Sequence, residues 1–144
     1  MLDGLPTGTT VSSFASLSVD PPMVFFALDN RGSMLSRVQR AGRVGINILA
    51  GDQADIAATF ASPSPVDRFS TLAWHVDDAL PRIEGVAAWL GCDELTFEPG
   101  GDHTIVLAKV SGAKTFGDSS LGYHLRRFRA VPAECAQPPA AIAG

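Results

Sequence analysis

Glycine and proline interrupt this chain so often that its fold must be built from short elements. The 144 residues include 14 Gly and 10 Pro. Glycine lowers helix stability through backbone entropy, and proline lacks the amide donor that helices and sheets use. Short apolar or alternating runs lie between these breaks, and the sequence contains no internal repeat. The pattern predicts a β-rich domain with many turns and few helices.

Six segments have the composition and periodicity of strands. Residues 11–19 alternate, with Val11, Leu17 and Val19 on one predicted face and serines on the other. A continuously apolar run at 23–28 predicts a fully buried strand. The alternation of 85–95 places Val86, Ala88, Leu90 and Cys92 on one face. The complete set of predicted strands is 11–19, 23–28, 44–48, 85–95, 104–110 and 121–128.

Two short helices are predicted among these strands. Ser33 is a residue type that caps helix N-termini, and it predicts a helix that ends at Gly42. Asp52 likewise predicts the start of a second helix, in which Phe60 points inward. Residues 66–84 are less regular. Since strands and helices do not alternate, the sequence predicts an α+β or β-barrel domain over residues 1–131. The Pro/Ala-rich residues 132–144 predict a mobile tail.

Charge and hydropathy exclude several classes of protein. The 11 Lys+Arg and 15 Asp+Glu give a net charge of -4, without the basic excess that a nucleic acid would attract. Neither a membrane-spanning run nor a secretory leader is present in the sequence. We therefore expect a soluble, cytoplasmic protein with neither nucleic acid nor membrane as a partner.

The sequence also lacks the motifs of metal sites and of serine hydrolases. Cys92 and Cys135 have no C-x-x-C spacing, and we interpret Cys92 as a buried apolar residue and Cys135 as an incidental thiol of the tail. His75, His103 and His124 share no ligand spacing, so no metal site is expected. The G-x-S-x-G motif of serine hydrolases is absent from the sequence.

A hydroxyl-rich motif near the N-terminus carries the most information. Residues 8–14 are Gly-Thr-Thr-Val-Ser-Ser-Phe, and residues 16–22 are Ser-Leu-Ser-Val-Asp-Pro-Pro. Together with later pieces in the same order, they resemble the short-chain flavin reductase family, up to Val131. The later pieces are Asn30 with Ser33, Ala41-Gly42-Arg43, Ile46-Asn47-Ile48-Leu49, Asp52-Gln53, Phe60-Ala61, Arg68-Phe69, Trp74, Gly101-Asp102-His103, and Leu121-Gly122-Tyr123 with Arg126-Arg127-Phe128.

The resemblance implies an FMN-binding split β-barrel with short flanking helices and an NAD(P)H-dependent flavin reductase. Such a protein transfers a hydride to FMN or FAD and supplies the reduced flavin to a separate monooxygenase. Short hydroxyl side chains and backbone amides suit the polar edge of the flavin ring, and a turn entering a helix suits its phosphate. The flavin-binding residues that the resemblance implies are Thr10, Val11, Ser12, Ser13, Leu28, Asn30 and Ser33, with Phe60 as a candidate at the flavin edge.

The family also suggests residues for the nicotinamide nucleotide, NADH or NADPH. By resemblance His103 is the catalytic candidate, placed to orient the nicotinamide, while Tyr123, Arg126 and Arg127 are candidates for the dinucleotide. A G-x-G-x-x-G motif is absent, so a Rossmann mode is not expected. The family further implies a homodimer.

Simpler interpretations of the same residues remain open. Without the resemblance, the hydroxyl segment is a solvated strand face, Ser33 a helix cap, Phe60 a core residue and His103 a loop histidine. The basic cluster at the last strand could equally discourage strand addition. A non-catalytic flavin carrier of the same fold is the main alternative function, followed distantly by a nucleic-acid-binding barrel.

The sequence departs from the family pattern in two places. Members carry a helix and a first strand ahead of the position of Asp3-Gly4, so about 20 residues of the pattern have no counterpart here. A barrel without that strand is expected to expose a sheet edge. Asp29 and Gly32 stand where small or hydroxyl residues are common, which predicts a different phosphate contact.

Overall fold

A five-stranded antiparallel sheet forms the centre of the protein, in a computed structural model that describes residues 1–62 and 67–133. The elements are β1 (Ala15–Ser18), β2 (Met23–Asp29), α1 (Ser33–Ala41), β3 (Val44–Ile48), α2 (Ala54–Ala61), a 3₁₀ helix (Arg68–Thr71), β4 (Trp74–Asp77), β5 (Leu80–Ile83), β6 (Ala88–Gly100), β7 (His103–Thr115), β8 (Ser119–His124) and β9 (Arg127–Pro132). The strand order of the central sheet is β1-β2-β7-β6-β3, and β4–β5 and β8–β9 form separate hairpins.

The main core lies where β2, β6 and β7 pack against α1. Val24, Phe26 and Leu28 of β2 are buried and alternate with half-buried neighbours. The prediction that 23–28 is fully buried was therefore wrong for every second residue, because β2 presents its two faces to different environments. Val38 of α1 packs on this core, as the predicted helical face requires.

Both helices begin one residue away from their predicted caps. Gly32 is the N-cap of α1 and Gln53 that of α2, and neither side chain caps its helix. The predicted caps Ser33 and Asp52 therefore do not hold those positions. The end of α1 is as predicted, because Gly42 adopts a left-handed φ of 65° that glycine tolerates.

The strand predicted at 11–19 is much shorter in the structure. Only Ala15–Ser18 pairs with β2, and the register shifts between Ser16 and Ser18. Leu17 is 48% exposed and Val19 is 89% exposed, so the apolar side chains of the predicted strand do not share a buried face. This irregular pairing at the sheet edge breaks the simple alternation on which the prediction rested.

The stretch predicted to be irregular contains a second structural unit. Its described part, from residue 67, forms the 3₁₀ helix and the β4–β5 hairpin. Asn47 of β3 holds this hairpin: its amide donates to Pro81 O (3.2 Å) and its carbonyl oxygen accepts from Ile83 N (2.9 Å). A second core lies beneath, made of Phe60, Phe69, Leu80, Ile83, Val86 and Trp89.

The predicted strands 85–95 and 121–128 differ from the structure in ways that matter for the site. In β6 the buried side chains are Trp89 and Cys92, and a register shift between Gly91 and Cys92 breaks the predicted face. Residues 121–128 are not one strand but most of the β8–β9 hairpin. Its turn residues Leu125 and Arg126 both have positive φ. Neither residue type indicates such a turn in a sequence, as Asn or Gly would.

The β8–β9 hairpin is hydrogen-bonded to the residues that follow β3. Leu121 N donates to Leu49 O (2.8 Å), and Ala50 forms an isolated bridge with Ser120. The mainly β, α+β split barrel with short flanking helices is thus confirmed. The predicted tail, including Cys135, lies outside the described residues apart from its first two positions, and the domain boundary stays a prediction.

Candidate functional site

A cavity of about 970 Å³ lies inside the curled sheet, bounded by β2, α1, β3, α2 and the β8–β9 hairpin. Its lining is mostly apolar, with threonine and serine hydroxyls and three arginines among the polar groups. A volume of this size is at the upper end of the range for small-molecule sites. Seven residues predicted for cofactor binding line it: Thr10, Val11, Ser12, Leu28, Phe60, Tyr123 and Arg126.

The segment that carries Thr10 is anchored to the end of α2. Thr10 N donates to Phe60 O (3.3 Å), and Thr10 Oγ1 donates to Ala57 O (2.8 Å). These carbonyls belong to the last turns of the helix, where backbone acceptors lack intrahelical partners or share them. The hydroxyl of Thr10 is therefore engaged within the protein, while its backbone borders the cavity.

Ser12 and Ser13 have different environments. Ser13 Oγ accepts from Ala27 N (2.8 Å) and lies 3.3 Å from Ala27 O, so the side chain takes the place of a strand partner for β2. Ser12 is exposed and lines the cavity, and its hydroxyl has no partner within the described residues. Of the three predicted hydroxyl contacts, Ser12 is the one left available to a ligand.

Phe60 is both a core residue and part of the cavity wall. Its ring is buried and meets Phe69 edge to face at 5.0 Å. The Arg68 guanidinium lies 6.0 Å from the Phe60 ring centroid and donates to Gly8 O (2.8 Å), which fixes the start of the hydroxyl segment. Phe60 is therefore a core residue, and its ring also borders the cavity.

The turn after β2 meets the β6–β7 turn at the end of the sheet. Asn30 N donates to Asp102 O (3.0 Å), and Asn30 Nδ2 donates to Gly101 O (3.2 Å). Thr104 Oγ1 in turn donates to Asn30 Oδ1 (2.7 Å). The structure brings Asn30 and His103 together in this cluster, but neither lines the cavity.

The amide donors of this turn are already in use. Arg31 N donates to Asp29 Oδ1 (2.8 Å), and Gly32 N donates to Asp29 O (3.1 Å). With Asn30 N bonded as well, three amides of the predicted phosphate turn have partners inside the protein. Ser33, the first residue of α1, is exposed.

Two carboxylates dominate the electrostatics of the turn. Hydrogen bonds from Arg31 lower the pKa of Asp29 to about 2. His103 Nδ1 lies 2.8 Å from Asp102 Oδ1, and this hydrogen bond lowers the pKa of Asp102. His103 also pairs with Asp29 across β2 and β7. Both carboxylates are therefore charged at neutral pH, and the Arg31 guanidinium is paired with Asp29, so the described turn offers an anion no unpaired guanidinium.

Arg37 is a functional candidate that the sequence patterns did not single out. It lies on α1 four residues after Ser33, so both side chains project from one helical face. Arg37 lines the cavity and donates through Nη1 to Thr7 Oγ1 (2.8 Å). No carboxylate pairs with it among the described residues, unlike Arg43, which also lines the cavity and pairs with Asp78.

The β8–β9 hairpin separates residues that were predicted to act together. Tyr123 pairs with Phe128 across the strands, with ring centroids 5.0 Å apart, and both line the cavity with Leu121. We call this side the inner face. His124 pairs with Arg127, which places Arg127 on the opposite side. Arg126, at the turn, lines the cavity, whereas Arg127 does not.

Other chemistry finds no support among the described residues. No group of His, Cys, Asp and Glu side chains there could hold a metal ion. Burial raises the pKa of the Cys92 thiol to about 11, so the group is protonated and unreactive at neutral pH. No helix in the described part is long and apolar enough to span a membrane.

Comparison with protein families gives one match over nearly the whole chain. Residues 2–132 match the family described as flavin reductase like domain. The reductase component of a flavin-dependent trigonelline monooxygenase from Acinetobacter baylyi is 38% identical over 123 residues, which cover 85% of this chain and 39% of the relative. An NADH-dependent flavin reductase from a Rhodococcus species is 33% identical over 86% of this chain and 69% of its own length.

Solved structures show the same architecture. Nitrilotriacetate monooxygenase component B from Mycobacterium thermoresistibile superposes with a TM-score of 0.88 at 30% identity, covering 97% of this chain and 80% of the other. An NADH:FAD oxidoreductase from Streptomyces globisporus, solved with NAD and FAD fragments, has a TM-score of 0.82 at 30% identity, covering 89% and 79%. The chain spans about two fifths of the length of some relatives and about two thirds of others.

Proposed function

The chain belongs to the flavin reductase like family, and from this premise we propose that it is an NAD(P)H:flavin oxidoreductase. It binds FMN or FAD together with NADH or NADPH, and it delivers reduced flavin to a separate monooxygenase. The observation that carries this proposal is the hydroxyl segment: Thr10, Val11 and Ser12 border a cavity in a chain whose residues 2–132 match the family.

The residues around the cavity fit a flavin. The tricyclic ring is flat, apolar on its faces and rich in acceptors along one edge, and the cavity offers apolar walls beside a polar strand. Leu28 and Phe60 supply apolar wall. Ser12 Oγ and the backbone amides of residues 11 and 12 supply donors for the ring edge, since the amide of Thr10 is bonded to Phe60 O. Bound flavin would provide the two-electron acceptor that no protein side chain supplies.

The spacing along β2 fits a mononucleotide lying beside it. Ser13 is hydrogen-bonded to Ala27, which fixes the hydroxyl segment beside the middle of β2. Asn30 follows three residues later, about 10 Å along the strand direction. A ring held by residues 10–12 therefore leaves its phosphate near the start of α1.

We assign the phosphate contact to Ser33 and Arg37 of α1. The turn amides of residues 30–32 are engaged, the Arg31 guanidinium is paired with Asp29, and Asp102 adds a negative charge there. Arg37 carries a positive charge without a carboxylate partner in the described chain and faces the cavity. A guanidinium and a hydroxyl one helical turn apart can bind one phosphate together.

The inner face of the hairpin is the proposed surface for the nicotinamide nucleotide. Tyr123 and Phe128 offer aromatic area over the cavity, and Arg126, which has no carboxylate partner among the described residues, adds a cation for the pyrophosphate. Hydride transfer needs the two rings stacked, so alignment is the contribution of the protein. The role of His103 near the nicotinamide stays a prediction, as does the homodimer.

The proposal is tested by oxidation of NADH and NADPH with FMN or FAD added, with flavin fluorescence quenching followed in the same samples. We expect turnover with at least one nucleotide pair and quenching on binding. Binding without turnover would instead support the flavin-carrier alternative. Absence of both would contradict a flavin site of either kind.

A further inference from the structure

The positive charges of this acidic chain are distributed unevenly. Eight of the eleven Lys and Arg residues donate a hydrogen bond to a carboxylate, hydroxyl or carbonyl oxygen. Within the described residues, the remaining three have no such partner, and all lie on the β8–β9 hairpin: Arg126, Arg127 and Arg129. The hairpin, from residue 119 to residue 132, contains no Asp or Glu. It is a concentrated cationic element on a chain of net charge -4.

The strand pairing assigns most of this charge to the side away from the cavity. Gly122 pairs with Arg129, His124 with Arg127 and Ser120 with Val131, and these pairs share one side of the hairpin. We call this side the outer face, and it consists of Ser120, Gly122, His124, Arg127, Arg129 and Val131. Arg127 and Arg129 lie two residues apart, about 7 Å along the strand. None of these side chains lines the cavity, so the proposed chemistry does not use them.

The tip adds an exposed apolar side chain held in a strained conformation. Leu125 is 81% exposed, and its φ is 49°. A left-handed backbone conformation is unfavourable for leucine, and an exposed leucine side chain adds no packing to the core. Val131, on the outer face, is also 45% exposed. Arginines interspersed with exposed apolar residues are typical of protein interfaces.

We propose that the outer face and the tip of the hairpin dock an acidic surface of a protein partner, with Leu125 entering an apolar site on it. The inference rests on the proposed function, since the partner we assign is the monooxygenase that receives the reduced flavin. The cavity that suits a nucleotide is lined by the inner face, and the outer-face side chains Arg127, Arg129 and Val131 do not line it. Complementary charge would accelerate encounter beside the site where flavin is reduced.

The test follows the amide and arginine Nε signals of the full chain by NMR. The probe is a short glutamate-rich peptide with one central leucine, and a lysine-rich peptide and inorganic pyrophosphate serve as comparisons. We expect the acidic peptide alone to shift signals of residues 124–131, with affinity that falls as salt rises. Arg129→Glu should weaken this binding about tenfold. Arg129→Gln should weaken it less, and Arg40→Glu, on α1, should leave it unchanged.

Other results would overturn the inference. Absence of shifts, or stronger shifts with pyrophosphate than with the peptide, would exclude an acidic protein surface as the ligand. A changed sedimentation coefficient of Arg129→Glu would assign the outer face to a second copy of this chain. Flavin reduction, measured on the same samples, is expected to be unchanged in Arg129→Glu. Peptide binding by a chain without turnover would contradict the proposed function, whereas turnover without peptide binding would contradict only the docking surface.

Discussion

At the scale of single residues, Arg37 connects the helix to the cavity. Its charge faces the cavity without a carboxylate partner in the described chain, so we expect it to contact the flavin phosphate. Arg37→Met should weaken FMN binding about tenfold, as the loss of one charge-assisted hydrogen bond implies, and leave riboflavin binding unchanged. Fluorescence titration with both flavins measures this difference. Arg40→Met is the matched control. Equal losses for FMN and riboflavin would argue against a phosphate contact.

The lowered pKa of Asp29 predicts how the turn between β2 and α1 responds to acid. Its pKa is about 2 in the folded chain, against an ordinary value of 3.8. Since the folded pKa is the lower one, the carboxylate stabilises the fold above pH 3.8, and this contribution is lost as the pH falls through about 2. Carboxyl NMR titration should give a midpoint near 2. Arg31→Gln should return it toward 3.8, and an unchanged midpoint would exclude Arg31 as the cause.

The site residues show what a sequence motif can and cannot specify. The hydroxyl motif located the segment beside the cavity, because Thr10, Val11 and Ser12 all line it. It did not reveal that the Thr10 hydroxyl is bonded to α2 and the Ser13 hydroxyl to β2. Side-chain partners that are distant in sequence leave no local pattern. Arg37 was missed for the same reason, although its position four residues after Ser33 could have indicated it.

At the scale of elements, the β8–β9 hairpin differs most from the prediction. Its turn, Leu125-Arg126, needs two left-handed residues but has neither Asn nor Gly, the usual signals. Residues 121–128 therefore resembled one strand. The consequence is functional, because the hairpin places Arg126 at the cavity and Arg127 on the outer face. β3 at Val44–Ile48, whose apolar residues alternate regularly with Gly45 and Asn47, was predicted with its correct bounds, whereas the 13-residue strands β6 and β7 were predicted with other bounds.

The strain in this turn gives a stability prediction. Asn tolerates the left-handed conformation better than Leu does, so Leu125→Asn should raise the free energy of unfolding by about 1 kcal/mol. Chemical denaturation measures this change. Leu17→Asn, at an exposed leucine of β1, is the control and should bring no gain. A destabilised Leu125→Asn variant would show that Leu125 contributes packing that its exposure does not indicate.

At the scale of the whole molecule, one curled sheet supports two surfaces with different tasks. The cavity side combines the hydroxyl segment, α1 and the inner face of the hairpin, which together suit a flavin and a nicotinamide nucleotide. The opposite side of the same hairpin carries Arg127 and Arg129, whose side chains have no partner in the part of the chain that the structure describes. Reduction and delivery of flavin would thus occur on the two faces of one element.

The most direct test of this account is the position of the flavin ring. Isotope-filtered NOE spectra of the chain with FMN should show contacts between the ring methyl protons and the methyl groups of Val11 and Leu28, which border the cavity. This result is expected if residues 10–12 hold the ring. Contacts only to residues outside the cavity, such as those of the Asp102–Thr104 turn, would contradict it.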